Sequence, residues 1–319
     1  MPISKQPILT KILVYVHIYV RMLYALMQDV IIRPDIIVIH RRIISRFMPL
    51  SYKILLHLVK YQRTKIVWDF DDNITESREL SENTFRLFSK LSDRIVVTHN
   101  FLKDLVSKEY HHKVLIMPTT DGDMYNSFEN EHINDIRLTD FDKELKLVWV
   151  ATSSNLKYLE SIIPILDSTA KKLMGKNITL KLSVICDSAL LHTCKYLKID
   201  NIKWTRDKAI KAMQTRHIGL MPLADTPFTK GKGGFKLVQY MSIGLPCIGS
   251  NVGFNTYVLS DGAGILVNGE QEWENAIITL SDKETWKLYS QNAYNSWIKN
   301  FSYKENLLHW KQILSFKKN

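Results

Sequence analysis

Ten short apolar runs of strand character alternate along this chain with longer stretches of helical periodicity, and no other feature constrains the fold as tightly. The first four are DIIVIH (35–40), KIVWDF (65–70), DRIVVTH (93–99) and KVLIMP (113–118). LKLVWVAT (145–152), ITLKLSVIC (178–186), IKWT (202–205), HIGLMPL (217–223), PCIGS (246–250) and GILV (264–267) follow. Between them lie segments such as LSYKILLHLVKYQR (50–63) and GGFKLVQYMSIG (233–244). Strands buried on both faces and joined by helices specify parallel sheets with right-handed crossovers, so the expected class is α/β.

A polar, acidic patch at 119–144, without periodicity, separates two α/β blocks and marks the expected domain boundary. Its DGDMYN (121–126) resembles the start of a calcium loop but lacks the glycine required at the sixth position. A length of 319 residues fits two domains better than one core. In open parallel sheets, ligands bind beyond the carboxyl ends of the strands. That rule puts His40, Arg41, Asp69, Asp71, Asp72, His99 and Asn100 on one rim. Thr152, Ser153, Ser154, Trp204 and the segment after Leu223 fall on the other, with an interdomain cleft expected between the two.

Charge narrows the list of partners. Residues 1–65 hold eleven Lys/Arg against two Asp/Glu, a net +9 out of +11 for the whole chain, so this part is expected to face an anionic surface. Ile8–Met27 is mostly apolar, but spanning a bilayer would bury Arg21 at a cost of ~2.5–3.5 kcal/mol. A helix packed on the protein or lying on a membrane is expected instead. No aromatic-interleaved basic motif accompanies the charge, which argues against nucleic acid. Three cysteines without CxxC spacing argue against a disulfide framework and a zinc site, and fit a reducing cytosol better.

The most informative stretch is ADTPFTKGKGGFKLVQYMSIGLPCIGSNVGFN (224–255). It reads as a strand end, a loop with Lys230 and Lys232, and a helix opening near Gly233–Phe235 that carries Lys236. Glycines admit a ligand close to the backbone, and helix N-terminal amides favour anions. The pattern is neither the GxxxxGK[ST] phosphate loop nor GxGxxG. Read alone, it is also compatible with a solvated basic turn before a core helix.

In order along the chain, VWDFDDNI, SDRIVVTHNFLKDL, LKLVWVATSSNLKYL, HIGLMPLAD, GKGGFKLVQYMSIGLPCIGS and WKQIL resemble the family 4 glycosyltransferases, which are two-Rossmann-domain enzymes of the GT-B fold. The donor loop looks like a lysine-rich K-x-x-F-K-x-x-Q-Y-M version of that family's glutamate-pair motif. The resemblance covers roughly residues 35–315. It implies an acceptor-side Rossmann-like domain over 1–135, a nucleotide-sugar domain over 136–300, and a C-terminal helix over 301–319 packing back toward the first domain. It also implies that Lys232, Lys236 and the amides of Gly233, Gly234 and Phe235 contact the donor diphosphate, and that Gln239 lies at the ribose. Thr152, Ser153 and Ser154 would lie beside phosphate or sugar, with Trp204 and Arg206 bordering the base. Two departures stand out. Gly231 occupies the place of the sugar-contacting glutamate, and the opening strands are not evident before Asp35, so the first domain reads as shortened.

The carboxylates of KIVWDFDDNIT (65–75) admit several readings. D-x-D after an apolar strand opens haloacid dehalogenase-type phosphatases, but Asn73 stands where a threonine is needed. A D-x-D manganese site and plain helix capping are alternatives. Within the resemblance, Asp69 and Asp72, with Arg41 and His99 nearby, orient the acceptor. Neither a metal nor another cofactor is expected. The expected function is transfer of a hexose, with retention, from a UDP- or GDP-sugar to a glycan or lipid-linked acceptor in bacterial surface polysaccharide synthesis. The enzyme would be cytoplasmic and peripheral on the inner membrane. The alternative is a catalytically silent nucleotide-sugar-binding subunit.

Overall fold

The computed structural model describes residues 7–120, 130–260 and 262–316. DGDMYN (121–126) therefore falls outside the described residues. The chain divides into two compact units, Met1–Met117 with Lys311–Asn319, and Pro118–Trp310.

The first unit runs α1 (Ile8–Ile32), β1 (Ile36–His40), α2 (Leu50–Tyr61), β2 (Lys65–Phe70), α3 (Glu82–Leu91), β3 (Arg94–Val97), α4 (Asn100–Leu105) and β4 (Val114–Ile116). Its sheet has the order β1-β2-β3-β4, every pair parallel. Alternate residues point to opposite faces of a strand. Ile66, Trp68 and Phe70 accordingly join Ile39, Ile95 and Val97 in one cluster with Leu26, Tyr52, Leu56, Phe85, Phe88 and Leu102 from the four helices. Trp68 is the hub, with ring centroids of Phe70, Phe85 and Phe88 4.6, 4.8 and 5.3 Å away.

α1 extends the expected helix by more than a turn. By length and composition it could cross a membrane. Its Leu26 is nonetheless buried in the core, and Tyr19, Met22 and Leu23 pack against it. The Tyr19 hydroxyl bonds Ser51 at 2.8 Å, and the Tyr52 hydroxyl donates to Tyr19 O at 2.5 Å, seating α1 on α2.

The second unit comprises α5 (Asn130–Leu138), β5 (Glu144–Val150), α6 (Leu156–Glu160), α7 (Ile163–Met174), β6 (Thr179–Cys186), β7 (Lys198–Lys203), α8 (Arg206–Thr215), β8 (Ile218–Met221), α9 (Pro227–Lys230), α10 (Phe235–Ser242), β9 (Cys247–Ser250), α11 (Asn255–Val258), β10 (Ile265–Val267), α12 (Glu270–Thr279), α13 (Lys283–Asn300) and most of α14 (Tyr303–Leu314). The expected boundary after residue 135 lies inside α5. The sheet order is β10-β9-β8-β5-β6-β7, again all parallel. Winding reverses between β5 and β8, the position where doubly wound sheets open a crevice. Leu147 and Trp149 pack to one side with α7 and α12. Val148 and Val150 pack to the other with α8 and α10. The run placed at 202–205 is a strand at 198–203, so Trp204 stands just beyond its carboxyl end. Cys186, Cys194 and Cys247 are unpaired thiols.

The core of this unit contains an arginine. The Arg137 guanidinium donates to the carbonyls of Met213 (3.1 Å), Gln214 (3.1 Å), Ile243 (2.9 Å) and Gly244 (3.2 Å). Beneath it, His217 Nε2–H donates to Arg137 O at 2.8 Å while Nδ1 accepts from Lys146 N at 3.0 Å. The ring is thus held neutral, and burial together with nearby cations pulls its pKa down to about 3. Because the folded pKa lies below the ordinary 6.5, unfolding takes up a proton between these values. Stability is therefore complete above pH 6.5 and falls on acidification toward pH 3. We expect about 2 kcal/mol to be lost between pH 6.5 and 5 from this residue alone. Urea midpoints measured across that range should fall for the wild type and stay flatter for His217→Gln. Equal slopes would remove His217 as the cause.

Candidate functional site

At the switch point, the carboxyl ends of β5 and β7 meet one side of α8 and the first turns of α10 around a cavity of about 270 Å³. Trp204 and Phe235 form its aromatic walls, with half or nearly half of each side chain exposed. Arg206, Lys236 and Gln239 supply polar groups, and Val150, Ala209, Ile210 and Met213 complete the lining. Five residues singled out from the sequence thus converge on one cavity. The apolar contributions of α8 carried no sequence signal beyond helical periodicity.

Local chemistry shapes the loop leading into α10. Thr226 caps α9, and its side chain and that of Thr229 bond reciprocally across the first turn. Lys230 is held by Asp225 at 2.8 Å. The chain then passes Gly231, Lys232 and Gly233 to Gly234, whose φ of +66° is left-handed. A Cβ at Gly234 would lie 3.0 Å from Val258 and 3.1 Å from Phe254, so glycine is required for both conformation and space. Gly253, at φ +56°, is tighter still, since its Cβ would lie 2.7 Å from the Lys230 backbone. These contacts press the loop against α11.

As at any helix start, the first amides of α10 make no i−4 bond, and the Leu237 amide turns to Gly234 O at 2.9 Å. Lys232 and Lys236 lie beside this end, their ammonium groups 4.7 and 5.1 Å from the ring centroids of Phe228 and Phe235. Lys236 also donates to Gln239 Oε1 at 3.0 Å. The result is a positively charged helix start beside an aromatic-walled cavity, suited to an anion attached to a flat ring.

Thr152, Ser153 and Ser154 form the turn after β5, and Ser153 and Ser154 open a short 3-10 helix. The Ser153 amide and hydroxyl both donate to Asp187, at 2.7 and 2.8 Å. These bonds hold the Asp187 carboxyl below the usual range. Ser153 therefore fixes the turn through Asp187, while Thr152 and Ser154 bond each other at 3.0 Å. Asp187 immediately follows β6, so the strand-end rule reaches it, although its partner could not be read from the sequence.

The carboxylates of the first unit form a separate cluster. Arg41, at left-handed φ 55°, donates to Asp71 (2.7 Å), Asp72 (2.6 Å) and Glu79 (3.1 Å). Burial alone would lower the guanidinium pKa, but the three carboxylates outweigh it and the pKa is raised. Asp69 stands opposite His40 in the β1–β2 register and bonds its Nδ1 at 2.7 Å. Burial pushes the Asp69 carboxyl up, and the His40 bond opposes that shift. Asn73 Oδ1 closes the turn by accepting from Thr75 Oγ1 and Glu76 N. Among the described residues, no group of three or more His, Cys, Asp and Glu is arranged to hold a metal. The cation balancing Asp71, Asp72 and Glu79 is Arg41. His99 is buried at the N-cap of α4, stacked on Phe101.

No protein-family model and no curated protein matches the chain. Solved structures do match it. A glycosyltransferase from Rickettsia africae ESF-5 superposes with TM-score 0.60 at 14% identity, over 98% of this chain and 83% of that one. Anabaena Alr3699/HepE in complex with UDP gives 0.61 at 14%, over 92% and 81%. A UDP-forming α,α-trehalose-phosphate synthase from Burkholderia xenovorans gives 0.64 at 10%, over 96% and 80%. The fold is GT-B. At these identities the likeness establishes the architecture of two parallel-sheet α/β domains, and the chemistry rests on the residues above.

Arg41 offers a direct test of how the first-unit cluster is held. Arg41→Gln leaves three neighbouring carboxylates without their shared partner and should cost about 1–3 kcal/mol in urea unfolding. Arg41→Lys should recover only part of this, because an ammonium cannot reproduce the planar fork. Full recovery by lysine would show that charge alone holds the turn.

Proposed function

We propose that this chain is a glycosyltransferase that moves a hexose from a UDP- or GDP-sugar to an acceptor hydroxyl with retention of configuration. The observation that carries this reading is the switch-point cavity, where Trp204, Arg206, Phe235, Lys236 and Gln239 converge beside the α10 helix start. Its size suits a base and ribose, leaving the diphosphate to the loop. In this reading the base stacks on Trp204, Gln239 bonds the ribose hydroxyls, and the diphosphate lies at the Gly233–Phe235 amides. Transfer breaks the bond between the anomeric carbon and the diphosphate, forms one to the acceptor oxygen, and releases the acceptor proton. The leaving diphosphate gains charge, which Lys232, Lys236 and the amides are placed to stabilise. Solved relatives in fold that hold UDP or UDP-glucose support a uridine donor.

On the acceptor side we assign Asp69, braced by His40, as the group that takes a hydrogen bond from the acceptor hydroxyl. Arg41, Asp72 and His99 shape the turn around it. The setting we propose is bacterial surface polysaccharide synthesis, cytoplasmic and peripheral on the inner membrane, with a glycan or lipid-linked acceptor. The +9 charge of residues 1–65 supports that placement. Gly231, buried where a glutamate is expected, supports the second reading of a silent donor-binding subunit.

Thermal shift with UDP and GDP should raise the melting temperature by mass action. Trp204→Ala should weaken binding by on the order of 1–3 kcal/mol, as loss of a stacking platform does. Lys232→Ala should lower turnover with a UDP-sugar, and EDTA should leave turnover unchanged. Binding without turnover of any donor would select the silent subunit, and absence of nucleotide binding would overturn both readings.

A further inference from the structure

A second cavity, of about 980 Å³, opens at the amino edge of the first sheet, where β1 and β2 begin. It lies at the opposite end of the strands from Asp69 and Asp72. Six residues of β2 separate the two edges, roughly 16–20 Å at strand rise. The cations lining it are Arg33, Lys60, Arg63 and Lys65, facing Asp35 and Asp93. Asp93 is already engaged by Lys60 at 2.5 Å, Lys65 at 3.5 Å and the Ile66 amide at 2.9 Å. Arg33 and Arg63 are exposed, and neither has an ion-pair partner among the described residues. Both take a left-handed φ, 56° and 70°, one capping α1 and the other just past α2. No protein group among the described residues bonds the buried Gln62 Oε1 in the same lining.

Apolar side chains flank these two arginines. Ile31 and Ile32, 76% and 70% exposed, directly precede Arg33, and Tyr61, 86% exposed, precedes Gln62 and Arg63. The pattern continues along both helices. Leu9, Leu13, Val16, Val20, Tyr24, Met27 and Ile31 recur on α1 every three or four residues and are all exposed. Leu50, Ile54, Leu58 and Tyr61 do the same on α2. Such spacing gathers side chains on one helix face. A neighbouring side of α1 is occupied by the core contacts of Tyr19, Met22, Leu23 and Leu26, so α1 is apolar on both.

We propose that the exposed face of α1 and α2 docks on a lipid bilayer, and that the cavity at their C-terminal ends takes the phosphate of an anionic lipid between Arg33 and Arg63. Charge complementarity selects this occupant. A second copy of the chain would bring one +9 segment against another, whereas an anionic bilayer satisfies both parts of the surface. Acyl chains meet the aliphatic stripes and headgroup phosphates meet the guanidinium forks, as an interfacial amphipathic helix requires. Gln62 Oε1 is an acceptor for a headgroup hydroxyl. This inference rests on the peripheral setting proposed above and on no part of the donor chemistry.

The full chain should co-sediment with phosphatidylcholine vesicles containing phosphatidylglycerol, and only weakly with phosphatidylcholine alone. The R33E/R63E double variant should lose roughly tenfold or more of the anionic preference, as removal of two basic residues at such a surface predicts. V20E/M27E should lose binding to both vesicles. All four positions are exposed, so unchanged circular dichroism melts and an unchanged UDP-induced thermal shift would separate this result from misfolding or failure of the donor reading. Inorganic phosphate at the same concentration as the lipid should not displace the protein. The inference is overturned if the wild type stays in the supernatant, if R33E/R63E binds undiminished, or if inorganic phosphate competes as a free-anion site requires. A light-scattering dimer that V20E/M27E dissociates, without vesicle binding, would assign the face to a second copy instead.

Discussion

The second unit depends on a buried guanidinium that meets no carboxylate among the described residues. Taking such a group out of water is costly, and burial pulls its pKa down to about 9, so Arg137 remains charged at neutral pH. Backbone carbonyls offset the cost. Met213 and Gln214 lie in the last turn of α8, and Ile243 and Gly244 lie just past the end of α10. These are the carbonyls that a helix leaves without intrahelical partners, and they carry its partial negative charge. One side chain therefore closes two helix ends, and Ser290 Oγ adds a bond to Gly244 O at 2.6 Å.

The position of these ends matters for the candidate site. α8 begins at Arg206 and α10 begins at Phe235, both lining the switch-point cavity. Fixing the far ends of two short helices constrains where their near ends point. Gly234 and Gly253 then hold the loop against α11 from the other side. The cavity is thus built between a charged latch in the core and glycine contacts at the surface. The first unit solves a related problem in the opposite way. There an arginine meets carboxylates directly at the carboxyl edge, and the cluster is local to the turn between β1, β2 and the start of α3.

Periodicity made most of the strands legible because burial forces continuous apolar runs, but β7, an edge strand of mostly exposed polar residues, overlaps its predicted run only at 202–203. The rim rule singled out Trp204, and the family resemblance singled out Arg206 and Gln239; all three line one cavity. Arg137 was not legible. It sits in the polar stretch that reads as a linker, and the carbonyls it bonds come from segments 76 to 107 residues away. The link between Ser153 and Asp187 was hidden for the same reason, although both residues lie at strand ends. In KIVWDFDDNIT the residue types were plain, but the division was not. Asp69 goes to His40, while Asp71 and Asp72 go to Arg41, and this depends on the left-handed turn at Arg41.

Helix polarity accounts for part of the charge at the amino edge of the first sheet. α1 and α2 each end just before the strand that follows, so their C-terminal partial charges gather there and favour cations nearby. Lys60, in the last turn of α2 and bonded to Asp93, fits that explanation completely. Arg33 and Arg63 fit it only in part, because they lie outside the helices and project beside exposed Ile31, Ile32 and Tyr61. Dipole complementarity gives no reason for aliphatic side chains to recur along the outer face of α1. Nor does the core, which meets a neighbouring side of that helix through Tyr19, Met22, Leu23 and Leu26. A surface that is basic at one end and apolar along its length is matched by a medium with anionic heads and apolar tails, and the helix dipoles add to that match by holding the guanidinium groups in place.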